Sequence, residues 1–200
     1  MSSIPNSATK TDLVTAYRRD QILQAARGRF MAGGLKGTTM NQIAHAAGVA
    51  KGTVYTYFTS KDAILNDLLS DDLGRLRETT LPAIAADEPL PDRLRAFFRA
   101  EVAFYEQGRD FIELCQLELG REPRRKARRQ LGDVFAAQQA AWTVTLIGFG
   151  IPEDAAARRA RAIVSLAYGL AVQRMRGWLD GDAESDIEAA ARLAWKGAVS

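Results

Sequence analysis

Lys51, Gly52, Thr53, Tyr55, Thr56 and Tyr57 crowd a cation, aliphatic and phenolic hydroxyls and one small residue into a single short stretch. A lysine pairs with phosphate as a point charge. Threonine and tyrosine hydroxyls bond phosphate oxygens or base edges, and a glycine lets another surface come close. This is binding chemistry, not bond-making chemistry. The rest of the sequence offers little to catalysis. One histidine, His45, and one cysteine, Cys115, cannot make a Cys/His metal cluster, and a lone thiol forms no intrachain disulfide. Gly148-Phe149-Gly150 runs into Ile151-Pro152-Glu153 and so misses the spacing of a glycine-rich phosphate loop. No nucleophile is paired with a base. His45 reads as a solvated residue or a phosphate neighbour. Cys115 reads as a buried apolar thiol, with redox sensing as the alternative. No enzyme activity, metal or cofactor is expected.

To present those outward side chains the stretch must be a helix, about Ala50 to Phe58, anchored by Val54 and Phe58 one turn apart. The helix before it is signalled by Thr39 and Gln42, a capping box, and by the apolar stripe Met40, Ile43, Ala44 and Ala47 ending at Gly48. A first helix from about Tyr17 to Met31 buries Ile22, Leu23, Ala26 and Phe30, and Gly33-Gly34 stops it. Two short helices joined by a tight Gly48-Val49 turn and braced by a third make a helix-turn-helix. Thr59-Ser60 then caps a longer helix from Lys61 to about Thr79, which links this unit to the rest of the chain. Leu81 to Pro91 reads as a loop because three prolines fall within it. Further helices are expected at about Asp92–Gln107, Asp110–Gly120, Pro123–Gly148, Glu153–Leu179 and Glu184–Ala198. No stretch alternates with the period of a strand, so the fold class is all-α: a three-helix N-terminal unit on a larger helical body.

With 200 residues, 47% of them hydrophobic, the chain is long enough for a sizeable core. Its net charge of +3 is unevenly spread: up to Leu65 the balance is +5, and the remainder carries −2. A basic first third on a mildly acidic body suits a nucleic-acid-facing module carried by a sensing or assembly module. The N-terminus lacks the apolar core of a secretory signal, and no apolar run is long enough to span a bilayer. A soluble, cytoplasmic protein with no membrane partner is expected. Residues 1–16 read as a polar, disordered tail, with Lys10 leaving open a DNA-contacting arm; residues 17–70 read as the DNA-binding domain and 71–200 as the second domain.

The run Thr38-Thr39-Met40-Asn41-Gln42-Ile43-Ala44-His45-Ala46-Ala47-Gly48-Val49-Ala50-Lys51-Gly52-Thr53-Val54-Tyr55-Thr56-Tyr57-Phe58, continuing to Leu65, closely resembles the DNA-binding motif of the TetR family of bacterial regulators. The resemblance extends from near Arg18 to near Leu69. It implies a homodimeric regulator, most often a repressor, that binds a palindromic operator in double-stranded DNA and releases it when a small-molecule effector enters the C-terminal domain. By the same resemblance Thr39 matches a phosphate contact at a helix start. Lys51, Gly52, Thr53 and Thr56 match base-facing positions, Tyr55 and Tyr57 backbone-clamping aromatics, and Lys61 a phosphate-contacting lysine. Ala50 departs from the family, which often has a capping Ser or Thr there.

Beyond Leu73 no motif appears. The resemblance places Phe97, Glu101, Phe104, Tyr105, Phe111, Cys115, Phe135 and Trp142 on the helices around an effector pocket, and aromatic lining favours flat apolar ligands. The same aromatic stripes also read as plain core. Glu101 reads as solvated, the alternative being an inward acid that selects a cationic effector. Ile163, Leu166, Ala167 and Leu170, continued by Trp178, and Ile187, Ala191, Ala194 and Trp195 on the last helix, make apolar stripes suited to a dimer four-helix bundle or to the monomer core. The basic run Arg121, Arg124, Arg125, Lys126, Arg128 and Arg129 reads as a solvated charged face.

Overall fold

The computed structural model describes residues 10–118 and 121–199. Among these residues the secondary structure is nine α-helices: α1 (Lys10–Gly37), α2 (Met40–Ala46), α3 (Lys51–Tyr57), α4 (Lys61–Ala85), α5 (Leu90–Gln107), α6 (Arg109–Glu118), α7 (Arg121–Gly148), α8 (Glu153–Met175) and α9 (Ala183–Val199). The chain divides into two units, Met1–Leu69 with Leu114–Pro123, and Ser70–Glu113 with Arg124–Ser200. The sequence reading assigns Leu114–Pro123 to the second domain.

In the first unit the core is built from the expected stripes. Ile22, Leu23, Ala26 and Phe30 of α1, Ile43 and Ala44 of α2, Val54 of α3, Phe58, and Ile64, Leu65 and Leu68 of α4 are all buried. The helical run of α1 is broken at Gly34, whose φ of 70° is open to glycine at little cost, so the expected stop falls there and one further turn comes after it. Buried Thr38 closes this corner, its Oγ1 lying 3.0 Å from the carbonyl oxygen of Arg29 and 2.7 Å from that of Gly34. At its other end α1 begins at Lys10, inside the expected tail. Leu13, Val14 and Tyr17 are exposed there, so packing does not hold this turn; Asp12, well placed at the helix start, favours it electrostatically. Residues 1–9, the remainder of that tail, lie outside the described residues.

Two more helix ends differ from expectation. α4 runs on to Ala85 with Pro82 inside it, where the proline withholds a donor from the turn before. Its end is held by tertiary contacts: Ile84 is buried, and its carbonyl oxygen accepts from Arg93 Nε at 2.8 Å, from Arg93 Nη2, and from Thr145 Oγ1 at 3.3 Å. The expected loop thus shrinks to the few residues before α5. α8 stops at Met175 and not near Leu179. Gly177 takes φ 68°, and the Trp178 N–H turns back to the carbonyl of Gln173 at 3.0 Å, a glycine-type helix end. Trp178 therefore does not continue the α8 stripe; it is 70% exposed.

In the second unit α5 packs along α8 and α9, which also pack on each other. Phe97, Phe98, Trp142, Leu94, Ile163, Ala167 and Ile187 lie in its core. Arg174 ties the rim, its side chain only 10% exposed, with Glu106 at 2.8 Å and Asp186 at 2.6 Å. No helix among the described residues is long and apolar enough to cross a membrane.

Candidate nucleic-acid interface

The outward geometry of α3 is set by what lies behind it. Val54 and Phe58 are buried, so the opposite face of a seven-residue helix has to point outward. Lys51, Gly52, Tyr55 and Thr56 are exposed, and Thr53 and Tyr57 are half-buried. Positions 51, 52, 55 and 56 share one face, and the Lys51 ammonium lies 5.9 Å from the centre of the Tyr55 ring, close enough for a cation–π contact. Thr56 Oγ1 bonds back to the Gly52 carbonyl at 3.1 Å. Ala50 caps α3 with backbone alone, as its missing hydroxyl dictates. Gly48, at φ 65°, makes the turn from α2 to α3.

Gly52 has no reason to be glycine inside the molecule. A Cβ there would meet nothing within 4 Å. Glycine inside a helix costs roughly 0.5–1 kcal/mol against alanine. Gly52→Ala is therefore expected to raise the melting temperature while weakening DNA binding, because the added methyl obstructs only what approaches from outside. Calorimetry and a DNA titration on one preparation check this; unchanged DNA affinity would remove Gly52 from the interface.

Thr39 is exposed at the start of α2 in a complete capping box. Its Oγ1 accepts from the Gln42 N–H at 3.2 Å, and its own N–H donates to Gln42 Oε1 at 2.8 Å. Lys61 is placed differently from a free phosphate contact. It is half-buried, and its ammonium donates to the carbonyl oxygens of Leu35 and Thr38, pinning the corner between α1 and α2. An ammonium has three protons, so one is left for a phosphate. Lys61→Met strips two part-buried carbonyls of their donor and is expected to lower stability by about 1–3 kcal/mol. A melting curve identical to wild type would leave Lys61 with only the phosphate role.

Sequence reasoning misses two further residues that hold this face. Gln21 Nε2 donates to the Ala47 carbonyl at the end of α2 at 2.8 Å, and Arg19 pairs with Asp67 at 3.0 Å. Partners 26 and 48 positions apart leave no local pattern to read. His45 is exposed.

The second unit gathers most of the aromatic set. Phe97, Tyr105 and Trp142 are buried and Phe104 and Phe135 partly so. Phe97 meets Trp142 edge-on at 5.5 Å, and Tyr105 and Phe135 both meet Tyr168, at 5.7 and 5.1 Å. Phe111 is buried in α6. Cys115, also buried, falls in the first unit, and burial pushes its thiol up to about 12, which removes the thiolate that redox sensing needs.

Glu101 corrects the solvated reading: it is 1% exposed. Burial pushes its carboxyl up to about 7, against a hydrogen bond from Gln138 that favours the charge. Gln138, fully buried and one turn before Trp142 on α7, carries no signal in the sequence that would single it out.

Of the two stripes offered for a dimer, Ile163, Ala167, Leu170, Ile187 and Ala191 are buried in the chain's own core, while Leu166, Ala194 and Trp195 are half-buried against it. In the basic run Arg125, Lys126, Arg128 and Arg129 are exposed; the side chains of Arg121 and Arg124 lie outside the described residues.

Comparison with known proteins agrees with the face that α2 and α3 build. Residues 22–68 match the family described as bacterial regulatory proteins, tetR family. The chain is 31% identical over 135 residues to the HTH-type transcriptional repressor KstR2 of Mycolicibacterium smegmatis, a match covering 62% of this chain and just under two thirds, 65%, of that protein. It is 28% identical over 185 residues to the HTH-type transcriptional activator FasR of the same organism, covering 90% and 82%. In fold it is similar to the transcriptional regulator FadR of Bacillus subtilis, solved in complex with stearoyl-CoA, with a TM-score of 0.64 and 22% identity over 90% of this chain and 97% of that one. Helix order, the braced α3 and the matched stretch converge: residues 22–68 carry the helix-turn-helix of the tetR family of bacterial regulatory proteins.

Proposed function

We propose that this regulator is a repressor that binds a palindromic operator as a homodimer through α3 and lets go when a small molecule enters its second unit, acting in the cytoplasm. The observation that carries the reading is the outward face of α3. Lys51, Gly52, Tyr55 and Thr56 stand exposed on a helix whose back is locked by Val54 and Phe58. Such a helix sits in a major groove with its N-terminal residues at base edges. A seven-residue helix reads few bases, so a second copy on a half-site about 34 Å away supplies the missing affinity. Two copies would meet through what α8 and α9 leave uncovered by their own core, including Leu166, Leu193 and Trp195. KstR2, named a repressor, supports the sign of regulation, and the FadR complex with stearoyl-CoA supports a small-molecule effector. α4 contributes residues to both units and is the element through which an effector would act on α3.

Selection of bound duplexes from a random DNA pool tests this. A repressor of this kind enriches a two-fold-symmetric site and holds it roughly a thousandfold or more above random DNA. Uniform, steeply salt-dependent binding with no enriched sequence would instead make the chain a non-specific DNA binder.

A further inference from the structure

Within the second unit lies a polar island closed off from solvent. Glu101 on α5 and Gln138 on α7 expose 1% and 0% of their surface, and Trp142, one turn after Gln138, exposes 0%. Gln138 Nε2 donates to Glu101 Oε1 at 2.5 Å and to Thr80 Oγ1 at 3.1 Å, and the Thr80 hydroxyl in turn bonds the Leu76 carbonyl at 2.7 Å. The polar atoms left over, Glu101 Oε2, Gln138 Oε1 and Trp142 Nε1, are buried without a hydrogen-bond partner. Native interiors carry only a few such atoms, and here three of them gather on Glu101, Gln138 and Trp142. Two are acceptors, one of them on a carboxyl group, and one is a donor.

The surroundings say what would complement them. Phe97 lies one turn before Glu101 and meets Trp142 edge-on, and Tyr105 lies one turn after. The groups acting on Glu101 are the Gln138 amide of α7 and burial itself. Tyr105, on its own helix, is the phenol that feels its charge, and Thr80 of α4 is neutral. Among the described residues no cation neutralises it. A buried acid without a counter-ion, beside an unused amide oxygen and aromatic faces, matches an ammonium group. That group donates to both acceptors, supplies the missing charge, and is attracted by ring faces. A carboxylate would be repelled by the Glu101 charge and has no proton for either acceptor, and a hydroxyl would fill one acceptor and neutralise nothing.

We propose that Glu101, Gln138 and Trp142 form the recognition end of the effector site and that the effector is an organic amine, protonated, on an apolar body. The assignment rests on reading the second unit as the effector-binding part. The Trp142 N–H is then left for an oxygen of the effector beside its amine.

Three probes of equal length, octylammonium, octanol and octanoate, separate the possibilities when titrated calorimetrically into the full-length protein at pH 8. Octylammonium is expected to bind at least tenfold tighter than octanol, with octanoate weakest. Glu101→Gln should abolish that preference, and a cooperative melting transition shows that the variant is folded. Between pH 8 and pH 6 wild-type affinity for octylammonium should fall about tenfold as Glu101 takes up its proton, and the variant should show no such fall. Octanol or octanoate binding as well as octylammonium, a preference that survives Glu101→Gln, or no binding of any probe would each overturn the amine assignment. Release of a selected DNA duplex is read separately with the same probes. Amine binding that depends on Glu101 yet leaves DNA affinity unchanged would count against the effector reading and not against the site.

Discussion

The Lys51→Ala/Tyr55→Ala double variant is expected to lose at least a hundredfold in affinity for a selected operator duplex, with its melting temperature within a few degrees of wild type. Both side chains are exposed, Tyr55 to 47%, and neither belongs to the core of the first unit, so truncating them should change stability by only about 0.5 kcal/mol each. If α3 reads DNA, what they contribute lies outside the molecule. A lysine on a base edge or phosphate and an aromatic clamp each supply about 1–3 kcal/mol, and at the middle of that range two such losses together exceed a hundredfold. The Lys51 ammonium and the Tyr55 ring are 5.9 Å apart, so the double loss should differ from the sum of the singles. Losing Lys51 as a phosphate contact would also flatten the salt dependence by about one counter-ion. Wild-type affinity in the double variant, with the same salt slope, would mean that α3 does not read DNA.

Glu101→Gln is expected to stabilise the protein strongly at pH 8 and not at all at pH 4. The folded carboxyl sits near 7 against an ordinary 4.5. Below about 4.5 both folded and unfolded chains hold the proton, and the burial of a neutral acid is not penalised. Between 4.5 and 7 the unfolded chain loses its proton while the folded one keeps it, so stability falls as pH rises. Above 7 both are ionised and the penalty levels off at about 3 kcal/mol, the shift converted at 1.36 kcal/mol per unit. Glutamine keeps the acceptor for Gln138 and never ionises. Differential scanning calorimetry across this range should show the two proteins diverging through pH 5–7; a constant offset between them would mean that the carboxyl carries no penalty.

The first unit is largely legible in the sequence because its signals are local. Thr39 and Gln42 cap a helix they themselves belong to, Gly48 turns where it stands, and Val54 with Phe58 defines a face over a single turn. Sequence and structure part where a distant residue decides. Pro82 reads as the start of a loop because nothing near it announces that Arg93 and Thr145 secure the helix end. Glu101 reads as solvated because a carboxylate between aromatic residues obeys the helical period equally well facing in or out; only Gln138, 37 positions away, shows which. The stripes of α8 and α9 are ambiguous for a related reason. Ile163 and Ile187 would be apolar in either role, and α5, the element that covers them, comes from another part of the chain.

The boundary between the two units falls at Leu69, in mid-helix, and the first unit reclaims Leu114–Pro123 from far along the chain. This bears on how the protein can be cut and recombined. A fragment ending at Leu69 would expose an unfinished helix with its final carbonyls bare and would discard a segment that includes buried Cys115. Grafting this reading head onto a relative's sensor therefore calls for a junction beyond Ala85, carrying the whole of α4, together with the matching piece of α6. Modularity in this chain is a property of the folded molecule and not of its linear order.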